Sequence, residues 1–300
     1  MFQLLKNSLF VFLGACCYGV LSTIVKLAYS KGYEFKEVLF SQYFFGWLIL
    51  LLLVLLFSRK KSTFKQFIRL VFVGFFTCLT GIFYYLSLQS IPASIAVVLL
   101  FQFTWMGVII EAIAERTLPS RDTVVSVLVL FIGTILAGGI IGVDADLNLA
   151  GMGLGLLSAF TFSMFIFFSG RVETKMSPIN RTFYISSGAL ILLLCVFSPK
   201  VLVDGSLGDG IWKYGILLGG LGVVLAVFLF AMGAPHLNTG LATILGAGEL
   251  PVAIIASVII LHEQVTALQW IGIVIILIGI MIPQMRHFIR KKPNREPVRH

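Results

Sequence analysis

The sequence predicts an all-α integral membrane protein with ten transmembrane helices, arranged as two inverted repeats of five helices each. Three observations lead to this fold class: ten apolar stretches of about twenty residues, an echo of the first five stretches in the second five, and basic residues that alternate between connections. An apolar helix of that length matches the hydrocarbon thickness of a bilayer. Because five is an odd number, the second repeat must cross the membrane in the opposite direction to the first.

The composition is that of a chain embedded in lipid. Of its 300 residues, 59% are hydrophobic and 12% are charged, whereas a soluble domain carries about 25% charged residues. The four cysteines all fall inside apolar stretches, so free thiols are expected rather than a disulfide framework. The expected spans are 8–28, 37–57, 68–88, 93–113, 123–142, 149–169, 181–197, 212–232, 238–260 and 267–285.

The basic residues predict the orientation of the chain. With ten spans, seventeen lysines and arginines fall on the side that carries both termini, four fall on the other side, and Lys26 lies within a span. Lysine and arginine are enriched in the cytoplasmic connections of membrane proteins. We therefore expect a multi-pass protein of the cell membrane with both termini in the cytoplasm. The net charge of +9 then reflects topology and predicts no nucleic-acid partner.

The two halves share residues at consistent spacings. Glu115 and Glu263 are 148 residues apart, and Gly133 and Gly279 are 146 residues apart. Self-similarity that keeps its order along both halves is typical of an internal duplication. The expected boundaries are a first repeat at 1–147, a second repeat at 148–287 and a basic cytoplasmic tail at 288–300.

Two short motifs give a family resemblance. At Ala114-Glu115-Arg116 and at His262-Glu263-Gln264 the chain resembles the EamA transporters of the drug/metabolite transporter superfamily, in which each five-span copy ends its fourth span with a glutamate. The segment from Trp270 to Gly279 and the proline at Pro251 fit the second copy, while Phe103 and Ser126 depart from the pattern in the first. The resemblance covers roughly residues 8–285 and implies pseudo-two-fold symmetry. It further implies that helices one, three, four, six, eight and nine line a central cavity.

Glu249 is the first candidate for function. It lies about eleven residues into the ninth span, which places it near the middle of the membrane at ~1.5 Å per residue. A carboxyl group there is costly unless it faces a polar cavity or carries a proton. Pro251 frees a backbone carbonyl one turn earlier, and Gly248 loosens the same turn, so we expect a helix break there of the kind that transporters use for binding. The structural alternative is a protonated glutamate that bonds to a neighbouring helix.

Lys26 is the second candidate, near the external end of the first span. Facing the cavity, it would bind a carboxylate or phosphate of the substrate, and with Glu249 it would offer two poles for a zwitterion. The alternative is a long side chain that reaches the lipid headgroups.

Other polar residues complete the expected site. Gln102 is expected to hydrogen-bond the substrate and Trp105 to offer an aromatic face to an organic cation, or else both are helix-packing residues. Glu111 is a second candidate for proton coupling, or else an interface residue. Tyr84 belongs to a polar stripe on the third span with Thr77, Thr80 and Ser87; Ser22 and Thr161 similarly mark the first and sixth spans.

Several chemistries find no motif in the sequence. There is no phosphate-binding loop, no cysteine or histidine cluster with metal-ligand spacing and no nucleophile elbow. We therefore expect no enzyme, no cofactor and no metal. The expected function is a secondary transporter, with export favoured, that moves small polar metabolites such as amino acids by alternating access. The alternatives are efflux of hydrophobic organic cations and, more remotely, a membrane enzyme or receptor. The expected partners are the bilayer, a small-molecule substrate and coupled protons, with a homodimer left open.

Overall fold

Helices make up most of the chain. A computed structural model describes residues 2–58, 62–91, 93–138, 148–197, 210–262 and 264–290, and none of these residues forms a strand. The helices of the first half are α1 (Phe2–Ser30), α2 (Phe35–Phe57), α3 (Phe64–Ser90), α4 (Ala93–Leu100), α5 (Phe103–Glu115) and α6 (Arg121–Ala137). Those of the second half are α7 (Leu149–Ser169), α8 (Pro178–Val196), α9 (Ile211–Leu218), α10 (Val227–Gly233), α11 (Thr239–Gly246), α12 (Glu249–Leu261) and α13 (Ala267–Arg290).

Ten crossing segments follow from these helices. Within the described ranges, eight segments are long and apolar enough to cross a bilayer. Three of them are interrupted: α4 continues into α5, α11 into α12, and α9 into α10 through a π-helix at Gly219–Ala226. The fifth and tenth spans are α6, with 17 residues, and α13, which pack along each other. The predicted all-α fold of two five-helix repeats is confirmed.

The connections define two faces. The amino-terminal face carries the start of α1, the end of α2, the start of α3 and the connections 116–120 and 170–177. The opposite face carries the connection 31–34, the end of α12 and the start of α13. Residues 291–300, most of the predicted basic tail, lie outside the described residues, as does Glu263.

The last two spans of each repeat are related by a constant offset of 146 residues. The helices α4, α5 and α6 begin at 93, 103 and 121, and α11, α12 and α13 begin at 239, 249 and 267. Both α5 and α12 have 13 residues and end in a residue of positive φ, Arg116 at 53° and His262 at 55°. The offset of 148 expected from Glu115 and Glu263 is therefore two residues too long here. One shared glutamate does not fix a register, and the structure pairs Glu115 with Leu261.

Close contact between α3 and α8 depends on glycine. A Cβ atom on Gly74 would lie 1.9 Å from the carbonyl oxygen of Ile185, and one on Gly188 would lie 2.1 Å from that of Val71. Lipid gives helices no hydrophobic drive to associate, so close backbone packing stabilises such pairs instead. The contact joins the third span to the seventh and so joins the two repeats.

Replacing Gly74 by alanine is expected to lower the thermal stability of the detergent-solubilised protein, because the methyl group forces α3 and α8 apart. Overpacking of this kind costs about 1–3 kcal/mol. Gly153→Ala is the matched control, since a Cβ atom there meets nothing within 4 Å. Fluorescence-detected size-exclusion after heating gives both melting temperatures. Equal values for the two variants would contradict the packing at Gly74.

Arg181 corrects one part of the sequence interpretation. The charge count treated it as one of the basic residues that set topology, at the edge of the seventh expected span, but it lies in the first turn of α8 and is only 1% exposed. Its guanidinium donates hydrogen bonds to the carbonyl oxygens of Ser169 at 2.5 Å, Val172 at 3.1 Å and Ala231 at 2.7 Å. These acceptors lie at or near the carboxyl ends of α7 and α10, where the helix dipole attracts a cation. Counting charges by position cannot reveal such carbonyl partners.

Candidate functional site

A cavity of about 540 Å³ lies between the two repeats. It extends from Glu249, at the start of α12, to Gln264 and Val265 in the 262–266 connection of the opposite face. Helices of both repeats supply its walls. Its polar lining residues are Tyr18, Ser22, Thr23, Lys26, Tyr29, Gln42, Tyr43, Thr77, Thr80, Tyr84, Tyr85, Ser186, Glu249, Ser257, Gln264 and Gln269.

Phenylalanines close the cavity towards the amino-terminal face. We call Phe103, Phe162, Phe165 and Phe230 the aromatic layer; all four are buried. The ring centroids of Phe103 and Phe162 are 4.8 Å apart, and those of Phe165 and Phe230 are 5.8 Å apart. Tyr18 packs edge-on against Phe162 at 5.7 Å and is itself part of the cavity lining. The aromatic layer therefore forms an apolar floor beneath the polar cavity.

Glu249 lies at this floor. The α-helical hydrogen bonding is interrupted at Ala247 and Gly248, whose backbone nitrogens bond three residues back, to Ile244 at 3.2 Å and Leu245 at 3.1 Å. Glu249 is the first residue of α12. Pro251 lies in the first turn of that helix, where a proline nitrogen without hydrogen costs no helical bond. Gly19 of α1 lets the two helices approach, since a Cβ atom there would lie 2.4 Å from the carbonyl oxygen of Glu249.

The Glu249 side chain is directed into the cavity. Among the described residues, none donates a hydrogen bond to its carboxyl group or forms an ion pair with it. The phenol groups of Tyr18 and Tyr84 interact with it electrostatically. A carboxyl group at this depth in the membrane is costly without a partner or a proton, so this site is suited to a cationic ligand group or to a transferable proton.

Lys26 and Ser22 lie above Glu249 on α1. Lys26 is seven residues beyond Gly19, which contacts Glu249, so the two charged residues are about 10 Å apart along the helix axis. Lys26 is exposed and lines the outer part of the cavity. The Ser22 hydroxyl donates to the carbonyl oxygen of Gly19 at 3.0 Å and also lines the cavity. The cavity thus has an acidic inner end and a basic outer part.

Three buried polar atoms of residues in the cavity wall have no hydrogen-bond partner within the described part of the chain: Thr23 Oγ1, Gln42 Oε1 and Ser186 Oγ. Buried polar groups are normally paired, but each of these atoms is closed to a molecule in the cavity in this conformation. Gln42 and Ser186 lie on the second and seventh spans, which the resemblance did not place around the cavity. Gln42 had a signal in the sequence, as a lone amide in an apolar stretch.

Three of the expected substrate-binding residues lie outside the lining of the cavity. The Gln102 amide donates to the carbonyl oxygen of Val98 at 2.8 Å, and its oxygen accepts from the Trp105 indole at 2.7 Å. Both side chains are therefore satisfied by their own span. Thr161 reaches the cavity indirectly, through a hydroxyl contact of 2.9 Å with Thr80, which does line it.

Glu111 lies in a separate cavity of about 330 Å³ at the amino-terminal face. Its carboxylate accepts hydrogen bonds from the backbone nitrogens of Thr239 at 3.2 Å and Gly240 at 2.7 Å. These nitrogens belong to the first turn of α11, which has no partner for them within its own helix. Glu111 thus fastens the second repeat to the first.

Ion pairs join the two repeats on the same face. Arg171 binds Glu115 at 2.5 Å and donates to the hydroxyl of Thr239 at 2.6 Å. Arg69 pairs with Glu173 at 2.9 Å. Each exposed ion pair contributes at most about 1 kcal/mol, but together they cross the boundary between repeats beneath the aromatic layer.

The fold and the cavity define a class of protein, a membrane transporter built from inverted repeats around a mid-membrane cavity. The sequence model of the EamA-like transporter family matches this chain twice, over residues 5–139 and 149–283. The chain therefore belongs to the EamA-like transporter family, as the two glutamate motifs predicted, and that family is part of the drug/metabolite transporter superfamily.

Relatives and a solved structure agree with this assignment. A protein of Archaeoglobus fulgidus described as an uncharacterized transporter is 26% identical over 273 residues, covering 91% of this chain and 94% of the relative. The uncharacterized transporter YxxF of Bacillus subtilis is 22% identical over 77% of this chain and 74% of its own length. A crystal structure described only as that of a protein aligns with a TM-score of 0.74 at 17% identity, over 95% of this chain and 99% of that one. This last likeness shows the fold alone.

Proposed function

We propose that this protein is a secondary transporter that exports small polar metabolites carrying an amino group, with amino acids as the leading class. The observation that carries the proposal is the Glu249 carboxyl group at the floor of the cavity, without a partner among the described residues. An ammonium group is the natural ligand of a carboxylate that has been taken out of bulk water.

The rest of the lining fits a zwitterion. With its amino group at Glu249, a substrate directs its carboxylate towards Lys26 in the outer cavity. Between these two poles on α1, the Ser22 hydroxyl lines the cavity, and its oxygen can accept a hydrogen bond. This arrangement binds a polar molecule by its ends and by its middle.

Glu249 also supports proton coupling. A carboxyl group that binds either a proton or an ammonium group, but not both, exchanges one for the other. A proton entering from the outside then displaces the substrate, and the empty protonated site returns across the membrane. Such exchange links export to the proton gradient with one residue.

The orientation follows from the basic residues. With both termini in the cytoplasm of a cell-membrane protein, as the positive-inside rule favours, the opposite face is external. The structure is then the outward-facing conformation, in which the cavity meets the outside and the aromatic layer and the ion pairs close the inside. Alternating access requires a second conformation that opens the amino-terminal face.

A second candidate is the efflux of hydrophobic organic cations. The observation that favours it is a set of five tyrosines in the cavity lining, which includes Tyr18 beside Glu249. Aromatic faces attract organic cations. In this alternative Glu249 neutralises the cation and Lys26 lies away from it.

Transport in proteoliposomes with an imposed proton gradient tests both candidates. We expect uptake of one or more radiolabelled amino acids into vesicles whose lumen is more acidic than the bath, because protons then leave in exchange for substrate. Other amine-bearing metabolites should compete for this uptake. Transport of quaternary ammonium dyes without amino acid transport would replace the first candidate by the second. No gradient-driven flux of either class would refute the proposed function.

A further inference from the structure

The small cavity beside Glu111 has a counterpart at the mouth of the large one. The offset of 146 residues between the last two spans of the two repeats pairs lining residues of the small cavity with lining residues of the large cavity. Three such pairs are Glu111 and Ser257, Pro119 and Val265, and Thr123 and Gln269.

The helices around the two cavities correspond in the same way. The small cavity lies among α5, α6 and α11, and the outer part of the large cavity lies among α12, α13 and α4. The caps at the starts of α6 and α13 also correspond. Ser120 accepts a hydrogen bond from the backbone nitrogen of Thr123, and Thr266 accepts one from that of Gln269.

The two cavities differ at one symmetric position. Glu111 accepts two backbone hydrogen bonds from α11 and fastens that half-helix to α5. Its counterpart Ser257 donates at 3.0 Å to the carbonyl oxygen of Ile254 in its own helix, and therefore does not fasten α4 to α12. The fastened cavity is shut off from the centre of the protein, and the unfastened one opens into it.

We propose that the small cavity is the closed form of a second mouth to the large cavity, and that the Glu111 contact with α11, here called the Glu111 clamp, keeps it closed. This inference rests on the proposed transport function. In transporters with inverted repeats, the second conformation arises when each repeat takes up the conformation that the other had before. The Glu111 clamp must then break, α11 moves away from α5, and the small cavity joins the site at Glu249.

The symmetry provides a swap experiment. Glu111→Ser removes the clamp from the amino-terminal face. By the symmetry between the repeats, Ser257→Glu supplies a carboxylate that bonds the first turn of α4 when the outer mouth closes, which creates the same clamp on the opposite face. The double substitution exchanges the two residues and is expected to reverse which mouth is open.

Cysteine labelling reads out the two mouths. In a background with the four native cysteines replaced, one reporter is Ile244→Cys, fully buried in the small cavity, and the other is Thr77→Cys in the large cavity. A membrane-impermeant maleimide is added to either side of sealed vesicles, and labelling rates are measured for each variant.

We expect Glu111→Ser to raise labelling of Ile244→Cys from the amino-terminal side about tenfold, because two hydrogen bonds to a charged group hold the closed state. Labelling of Thr77→Cys from the opposite side should fall in parallel, and the double substitution should enlarge both changes. Glu111→Gln keeps the size of the side chain and should give an intermediate result. Asp122→Asn removes another carboxylate from the same cavity and should leave both rates near those of the parent.

Two results would overturn the second mouth. One is that the cysteine of Ile244→Cys stays as slow to react with the maleimide as in the parent when Glu111→Ser, or the double substitution, is added. The other is a rise at both reporters together, which would indicate local loosening rather than an exchange of states. No substrate is needed for this measurement. Reciprocal labelling in a protein that moves no amine would refute the proposed substrate alone, and amine transport without reciprocal labelling would refute the Glu111 clamp alone.

Discussion

Replacing Glu249 by glutamine is expected to reduce transport of amine-bearing substrates roughly ten- to hundredfold, because a charge-assisted hydrogen bond contributes about 1.5–3 kcal/mol. The substitution keeps the shape of the side chain and removes its negative charge and its proton. Transport that remains should no longer respond to a proton gradient. Initial rates in proteoliposomes, measured with and without the gradient, provide the test.

Trp105→Phe is the matched control for this prediction. Trp105 is close in sequence to the equivalent break between α4 and α5, but its indole bonds to Gln102 and lies outside the cavity lining. The transport rate of Trp105→Phe should stay within about twofold of the parent, because no charged contact to the substrate is lost. If Glu249→Gln keeps both its rate and its response to pH, the assignment of the site to Glu249 fails.

Replacing Arg181 by methionine is expected to destabilise the protein more than any other single substitution considered. The change leaves the carbonyl oxygens of Ser169, Val172 and Ala231 buried without a donor, and each unsatisfied group costs about 1–3 kcal/mol. Methionine keeps much of the volume, so the loss reports on the hydrogen bonds rather than on a void. The melting temperature in detergent, with the yield of monodisperse protein, measures the effect.

Arg69→Met is the control that separates buried from exposed arginine. The Arg69 side chain is 55% exposed and forms one ion pair with Glu173, so its loss should cost no more than about 1 kcal/mol. The melting temperature of Arg181→Lys should lie between those of Arg181→Met and Arg69→Met, since lysine retains a charge but not the planar fork that reaches several acceptors. Similar melting temperatures for Arg181→Met and Arg69→Met would show that the buried contacts do not stabilise the fold.

Much of the fold was predictable because lipid imposes a simple pattern. Apolar length gave the spans, and an odd number of spans per copy gave the inverted arrangement. The register between copies was less secure. The motif glutamates suggested 148 residues, whereas Gly133 with Gly279 carried the offset of 146 that the helices show. Ser120 and Thr266, which cap the starts of α6 and α13, are also 146 residues apart and indicate the same register.

The candidate site was predictable where chemistry alone singled out a residue. Glu249 and Lys26 are unusual in apolar spans, and both line the cavity. Gln102 and Trp105 were chosen for proximity to the break, but the turn at Phe101 and Gln102 leaves these side chains bonded to their own span. Gln42 and Arg181 were missed as functional or structural centres. Their roles depend on which helices pack beside them, and sequence periodicity does not contain that information.

The aromatic layer has an electrical consequence. Water-filled space carries little of the membrane voltage, so a cavity that reaches Glu249 from one face concentrates the voltage drop across the dry phenylalanines below it. A net charge that moves with the site across this layer then meets most of the potential, a free-energy difference of about 2.3 kcal/mol per 100 mV. In the proposed exchange a monovalent cation neutralises Glu249 as a proton does, so neither crossing moves net charge. A zwitterion leaves the loaded site with the charge of the carboxylate, so each cycle moves one charge, and the two substrate classes should differ in their response to an applied diffusion potential.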